Sequence, residues 1–243
     1  MKVNFLIIGT QKGGTTALAK FLSNHPQVYL PSAKEVHFFD NEGEFSSAQP
    51  NYEKYHAAFS NYSGEKVMGE ATPIYMYIPK IAERIRHYNP YMKLICILRN
   101  PIDRAYSHYQ MTKRRHIDSL PFSIAIRIER IRLLTKNSSI IDHSYIDRGY
   151  YARQIRNIIR YFAREQMLFI KTEDLHDRRE ETLHLVYDFL NLDHVEVPKF
   201  ERVFSFDYAS MNPRDRKYLL RRYSEKIVEL ESMLHWNLSN WKI

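Results

Sequence analysis

Short apolar runs bounded by Gly, Pro, Asn or charge recur along this chain, and segments of helical period separate them. Phe5–Ile8, Val28–Leu30, Val67–Glu70, Leu94–Leu98 and Met167–Ile170 are runs of strand length. Between and after them, apolar residues three and four apart predict helices over Thr15–Ser23, Tyr52–Phe59, Ile78–His87, Phe122–Leu134, Ile146–Phe162, Glu180–Leu190 and Pro213–Leu234. A further helix opens at Asn100-Pro101, with Asp103 in its first turn, and runs to about Lys113. Strands that alternate with helices predict an α/β chain with a parallel sheet. Ligand sites in such folds lie at the carboxyl ends of the strands.

The first run leads straight into chemistry. Phe5–Gly9 is followed by Thr10-Gln11-Lys12-Gly13-Gly14-Thr15-Thr16 and then a helix. A Gly-rich turn at a helix N-terminus offers backbone N–H groups and the positive end of the helix dipole to an anion. The spacing is nearly that of a Walker A loop, G-x-x-x-x-G-K-[ST]. Gly9 and Gly14 hold the glycine positions and Thr16 the hydroxyl, but Thr15 stands where the lysine belongs, and the lysine has moved back to Lys12. The apolar run ending at Leu98 continues into Arg99 instead of a Mg²⁺-binding carboxylate. An Arg in place of an acid suggests a nucleotide with an extra phosphate and no metal.

These features resemble sulfotransferases that use 3′-phosphoadenosine 5′-phosphosulfate (PAPS). Phe5–Leu18 is similar to their 5′-phosphosulfate loop. Leu98–Tyr109 is similar to their 3′-phosphate segment, with Arg99 and Ser107 eight residues apart. Lys34-Glu35-Val36-His37-Phe38-Phe39-Asp40 resembles the segment that carries the catalytic Glu in heparan sulfate N- and 3-O-sulfotransferases. Gly149–Ile155 with Gln166–Ile170, and Met211–Leu219, resemble later landmarks of the same group. The likeness covers nearly the whole chain and implies a P-loop-like three-layer fold, its central parallel sheet flanked by helices.

The resemblance also implies roles. Lys12 stabilises the leaving group. Gly13, Gly14, Thr15 and Thr16 join it in holding the 5′-phosphate, and Arg99 and Ser107 hold the 3′-phosphate. Glu35 is the general base for a hydroxyl or amine acceptor, with His37 the rival base. Lys34, Thr72, Arg148 and Tyr150 are candidate acceptor contacts. PAPS is the co-substrate, adenosine 3′,5′-bisphosphate the product, and no metal is implied. One departure stands out. Glu70-Ala71-Thr72-Pro73 matches a segment that commonly carries a lysine in the glycosaminoglycan enzymes, and Ala71 brings no charge. That leaves the acceptor open among alcohols, glycans and other hydroxylated metabolites.

Bulk properties narrow the alternatives. At 243 residues, without repeats or low-complexity tracts, one domain over 1–243 is expected. The net charge of +8 suits an anionic ligand, but no nucleic-acid motif accompanies it. The single cysteine, Cys96, lies in an apolar run and suits a reducing, cytoplasmic setting. No run approaches the length of a membrane span. Two rival readings remain: a P-loop kinase or NTPase, and a non-enzymatic polyanion-binding module. Arg104 is open between a contact to the 3′-phosphate and a solvated helix face.

Overall fold

The computed structural model describes residues 2–33, 35–47, 49–135, 140–197 and 209–243. In chain order the elements are β1 (Phe5–Gly9), α1 (Thr15–Leu22), β2 (Val28–Tyr29), α2 (Tyr52–Ala57), β3 (Val67–Ala71), α3 (Pro79–Tyr88), β4 (Lys93–Leu98), α4 (Pro101–Arg114), α5 (Phe122–Leu134), α6 (Ile140–His143), α7 (Tyr151–Ile158), β5 (Met167–Lys171), α8 (Thr172–Asp177), α9 (Arg179–Leu190) and α10 (Pro213–Leu234). The chain divides into two compact units. One comprises Met1–Leu98 and Arg156–Phe204, the other Arg99–Ile155 and Ser205–Ile243. Among the described residues, no helix is long and apolar enough to cross a membrane.

The first unit carries the sheet, in the order β2-β3-β1-β4-β5. Every neighbouring pair is parallel, with Phe5 opposite Gly69 on one side and Lys93 on the other. Strands covered on both faces read as unbroken apolar runs, which is why β1 and β4 have no alternation. All five residues of β1 are buried. Ile7, Ile95, Ile97 and Ile170 pack with Leu18 and Leu22 of α1 and with Leu183, Val186 and Leu190 of α9. Burying Leu18 and Leu22 contributes about 2 kcal/mol each. β1 lies between β3 and β4, so the chain runs from it to β2 and β3 on one side before crossing to β4 and β5 on the other. Open α/β sheets bind ligands at the carboxyl end of such a strand. Here that end is Gly9.

The second unit is helical. Asn100 caps α4 by accepting from the Ile102 N–H at 3.0 Å, and Asn212 caps α10 by accepting from the Arg214 N–H at 2.9 Å. In both helices Pro follows the cap, as its preset φ favours.

The helix expected over Ile146–Phe162 is cut short. A single 3₁₀ turn spans Asp147–Gly149, and α7 begins only at Tyr151. Two contacts explain the break. The Glu129 carboxylate takes the N–H groups of Ile146 and Asp147, at 2.7 and 2.8 Å. At Gly149 an added Cβ would lie 2.4 Å from the Tyr223 hydroxyl, so the backbone is pressed against α10. The short helices α6 and α8 carry too little periodicity to be read from sequence.

Candidate active site

The loop between β1 and α1 is built by close approach. At Gly13 an added Cβ would stand 2.6 Å from the Ile97 carbonyl oxygen of β4. Gly14 caps α1 at φ 105°, where a side chain is strained, and no side chain caps the helix. The loop leads into the first turn of α1, where Thr15 is buried and Thr16 is half-buried. Lys12 itself has φ 69°, a left-handed conformation that costs a residue with a Cβ. The Gly13 N–H closes a turn on the Thr10 carbonyl at 2.8 Å. Gly13 thus contributes its smallness to the loop, while its N–H is taken up by that turn.

Thr172 is a positioning residue that sequence reasoning missed. Its hydroxyl reaches the Gly13 carbonyl at 2.5 Å and the Leu98 carbonyl at 3.0 Å, fastening the loop where β5 gives way to α8. No local motif marks it, because its partner lies 159 positions away.

The second cluster follows β2. Glu35 and His37 come together: His37 Nε2 lies 3.3 Å from Glu35 Oε2, and its Nδ1 lies 2.8 Å from Asp40 Oδ2. Both Glu35 and His37 have positive φ, 59° and 54°. The hydrogen bonds to Asp40 and then Glu35 push the His37 imidazole up to about 10, outweighing the opposing effect of partial burial. His37 is thus a cation over the neutral range. Lys34 lies outside the described residues.

Behind this cluster sits Glu70, at the end of β3 and only 1% exposed. Its carboxylate accepts from the hydroxyls of Tyr55 (3.1 Å), Tyr75 (3.0 Å) and Thr72 (2.5 Å). Burial raises its pKa, and these bonds pull the other way. Thr72, expected at the acceptor, is buried and spends its hydroxyl on Glu70.

In the second unit, Arg99 follows β4 directly and its carbonyl accepts from the Tyr151 hydroxyl at 2.9 Å. Ser107 is buried in α4. Arg148, expected at the acceptor, is 1% exposed and fixed inside the unit. Its Nε donates to Ser144 Oγ at 2.9 Å and its Nη2 to the Ile141 carbonyl at 2.6 Å. Tyr150 keeps partial exposure, edge-on to Tyr223 with Arg153 over its ring. Of the two readings of Arg104, the solvated helix face is ruled out: the residue is fully buried and donates to the Tyr145 carbonyl. Among the described residues, no cluster of three His, Cys, Asp or Glu side chains could hold a metal ion.

Comparison with known proteins fits this architecture. The chain is 24% identical to the membrane-associated sulfotransferase kil1 of Dictyostelium discoideum, over 96% of this chain and 65% of that protein. It is 32% identical to human heparan sulfate glucosamine 3-O-sulfotransferase 3B1, over 80% of this chain and 47% of that protein. It therefore spans about half to two thirds of the length of these relatives. The crystal structure of a sulfotransferase from Alicyclobacillus acidocaldarius superimposes with a TM-score of 0.88 at 28% identity, covering 100% of both chains. The Sulfotransferase domain family matches residues 2–233, and the chain belongs to that family.

Proposed function

We propose that this chain is an enzyme that transfers a sulfuryl group from PAPS to an acceptor hydroxyl or amine, with both units forming one sulfotransferase domain. The observation that carries the reading is the loop after β1: Lys12 set in a turn, Gly13 with no room for a Cβ, and a helix N-terminus that no side chain caps. Such a loop fits a 5′-phosphosulfate. When bound, PAPS supplies the sulfuryl group, and adenosine 3′,5′-bisphosphate is what remains.

Lys12 neutralises the charge that builds on the 5′-phosphate oxygen as the bridging S–O bond breaks and its electron pair stays with that oxygen. The N–H groups of the first turn of α1 and the Thr15 and Thr16 hydroxyls orient that phosphate. Glu35 takes the proton from the acceptor as its oxygen or nitrogen bonds to sulfur. His37 is the weaker candidate for that step, because a protonated imidazole has no lone pair to offer. Its cation instead attracts the Glu35 carboxylate and orients it. The 3′-phosphate roles of Arg99 and Ser107 rest on the sequence resemblance alone.

For the acceptor, Thr72 and Arg148 drop behind Tyr150, since both are buried and hydrogen-bonded within the fold. Ala71 removes a cation that a polysulfated glycan would use, which favours a less anionic hydroxylated acceptor.

Calorimetric titration with adenosine 3′,5′-bisphosphate tests the reading. Binding without Mg²⁺ that weakens, but is not abolished, in Lys12→Ala supports it; preference for Mg-ATP supports a kinase or NTPase. An acceptor screen with labelled PAPS then tests Glu35→Gln, which keeps bisphosphate affinity and loses most turnover.

A further inference from the structure

We propose that Glu70 is a positioning residue, whose buried carboxylate sets the backbone of the segment that holds Glu35 and His37. The proposal rests on the reading of Glu35 as the base and names what holds it in place.

The argument begins with cost. A carboxyl group that is 1% exposed is expensive in a core unless its oxygens are fully used. An apolar residue would pack the end of β3 at no such cost. What the carboxylate provides is a chain of hydrogen bonds that ends on one short stretch of backbone. Glu70 Oε2 faces the Val36 N–H at 3.4 Å. Glu70 Oε1 accepts from the Tyr75 hydroxyl at 3.0 Å. That hydroxyl in turn accepts from the N–H groups of Phe38 at 3.0 Å and Phe39 at 3.3 Å. Tyr55, from α2, fixes the same Oε1 at 3.1 Å. The backbone donors therefore all come from residues 36–39.

This stretch needs such a hold. Glu35 and His37 are both left-handed at non-glycine positions, a conformation that persists only where the surroundings over-determine it. It is also the conformation that brings Glu35 Oε2 to 3.3 Å from His37 Nε2. Phe38 and Phe39 anchor the far side by packing on Tyr55, with ring centroids 4.8 and 5.1 Å away. The aromatic rings hold the segment down, and the polar chain sets its torsion.

The test is an NMR titration of the His37 imidazole in the full chain, with thermal melts in parallel. In the wild type the expected His37 midpoint is about 10, from its contacts with Asp40 and Glu35. In Glu70→Gln, and independently in Tyr75→Phe, the segment relaxes, Glu35 withdraws, and the His37 midpoint falls by about one pH unit while a cooperative melt is kept. A wild-type titration in either folded variant overturns the proposal. Loss of the folded state in both makes Glu70 a fold determinant and overturns it as well. The base role of Glu35 fails separately, if Glu35→Gln keeps full turnover, and that result leaves the comparison between Glu70→Gln and wild type unchanged.

Discussion

The Thr172 hydroxyl lies 2.5 Å from the carbonyl oxygen of Gly13, so the first residue after the last strand holds the loop that follows the first strand. The same hydroxyl reaches Leu98 at 3.0 Å, so one side chain ties the β1 loop to the end of β4. Thr172→Val keeps the shape and removes the hydroxyl. The expected loss is about 1 kcal/mol of stability by urea denaturation. Under the proposed function, affinity for adenosine 3′,5′-bisphosphate also falls several-fold by calorimetry. Thr172→Ser restores both, whereas equal behaviour of the Val and Ser variants would remove the hydroxyl from the account.

His37 gives a pH signature of its own. Contact with Asp40 and Glu35 raises its folded-state pKa from 6.5 to about 10. A raised pKa in a base stabilises the fold fully below the unfolded value of 6.5, and that gain is lost as pH climbs through 10. The melting temperature of wild type minus that of His37→Gln is therefore largest and flat below pH 6. It shrinks through the alkaline range and vanishes above pH 10. About half of the ring faces water, so the effect is modest in size, but its direction is fixed. A gap that widens toward pH 10 would contradict the contacts with both carboxylates.

Much of this architecture is legible along the chain because its cues are local. β1, β4 and β5 announce themselves as apolar runs, since a parallel sheet buries both faces, and β3 as a shorter one interrupted by Glu70. Asn100-Pro101 and Asn212-Pro213 mark two helix starts to the residue. The Gly13-Gly14 loop can be read from its spacing. What stays hidden depends on partners far apart in sequence. Nothing near Thr72 says that its hydroxyl is spent on Glu70, and nothing near Arg104 says that its helix face is covered. The truncation of the helix expected from Ile146 is decided by Glu129, 17 positions upstream. Local period foresaw a longer helix, and a buried carboxylate overrode it.

Lys12 separates the enzyme reading from mere polyanion binding. Its ammonium is proposed to act as charge builds on the departing oxygen, so Lys12→Ala should lower turnover of labelled PAPS by about 10²-fold or more. The bisphosphate affinity should fall by far less than turnover does, because the first turn of α1 still binds the phosphate. A non-enzymatic polyanion site predicts the opposite pattern, with binding indifferent to Lys12 and collapsing steeply with salt. Titrations at two salt concentrations on both proteins decide between them.

Glu129 predicts a second pH window, of the same sign and at lower pH. It is 3% exposed, and burial pushes its carboxyl up to about 7, against the pull of the Asp147 and Ile146 N–H groups and of the buried Arg104. The folded state therefore holds a proton that the unfolded state releases near 4.5. That contribution to stability is present below 4.5 and is lost as pH rises through 7, about 3 kcal/mol at full extent. Glu129→Gln cannot titrate, although its amide leaves one of the two backbone N–H groups without an acceptor. Urea denaturation at pH 5 and pH 8 should find wild type losing ground to Glu129→Gln across that interval. The absolute gap at either pH mixes in the lost hydrogen bond, so the change between the two pH values is the informative quantity. No change would mean that Glu129 titrates in the fold as it does in the open chain, and that the bonds from Ile146 and Asp147 fully offset its burial.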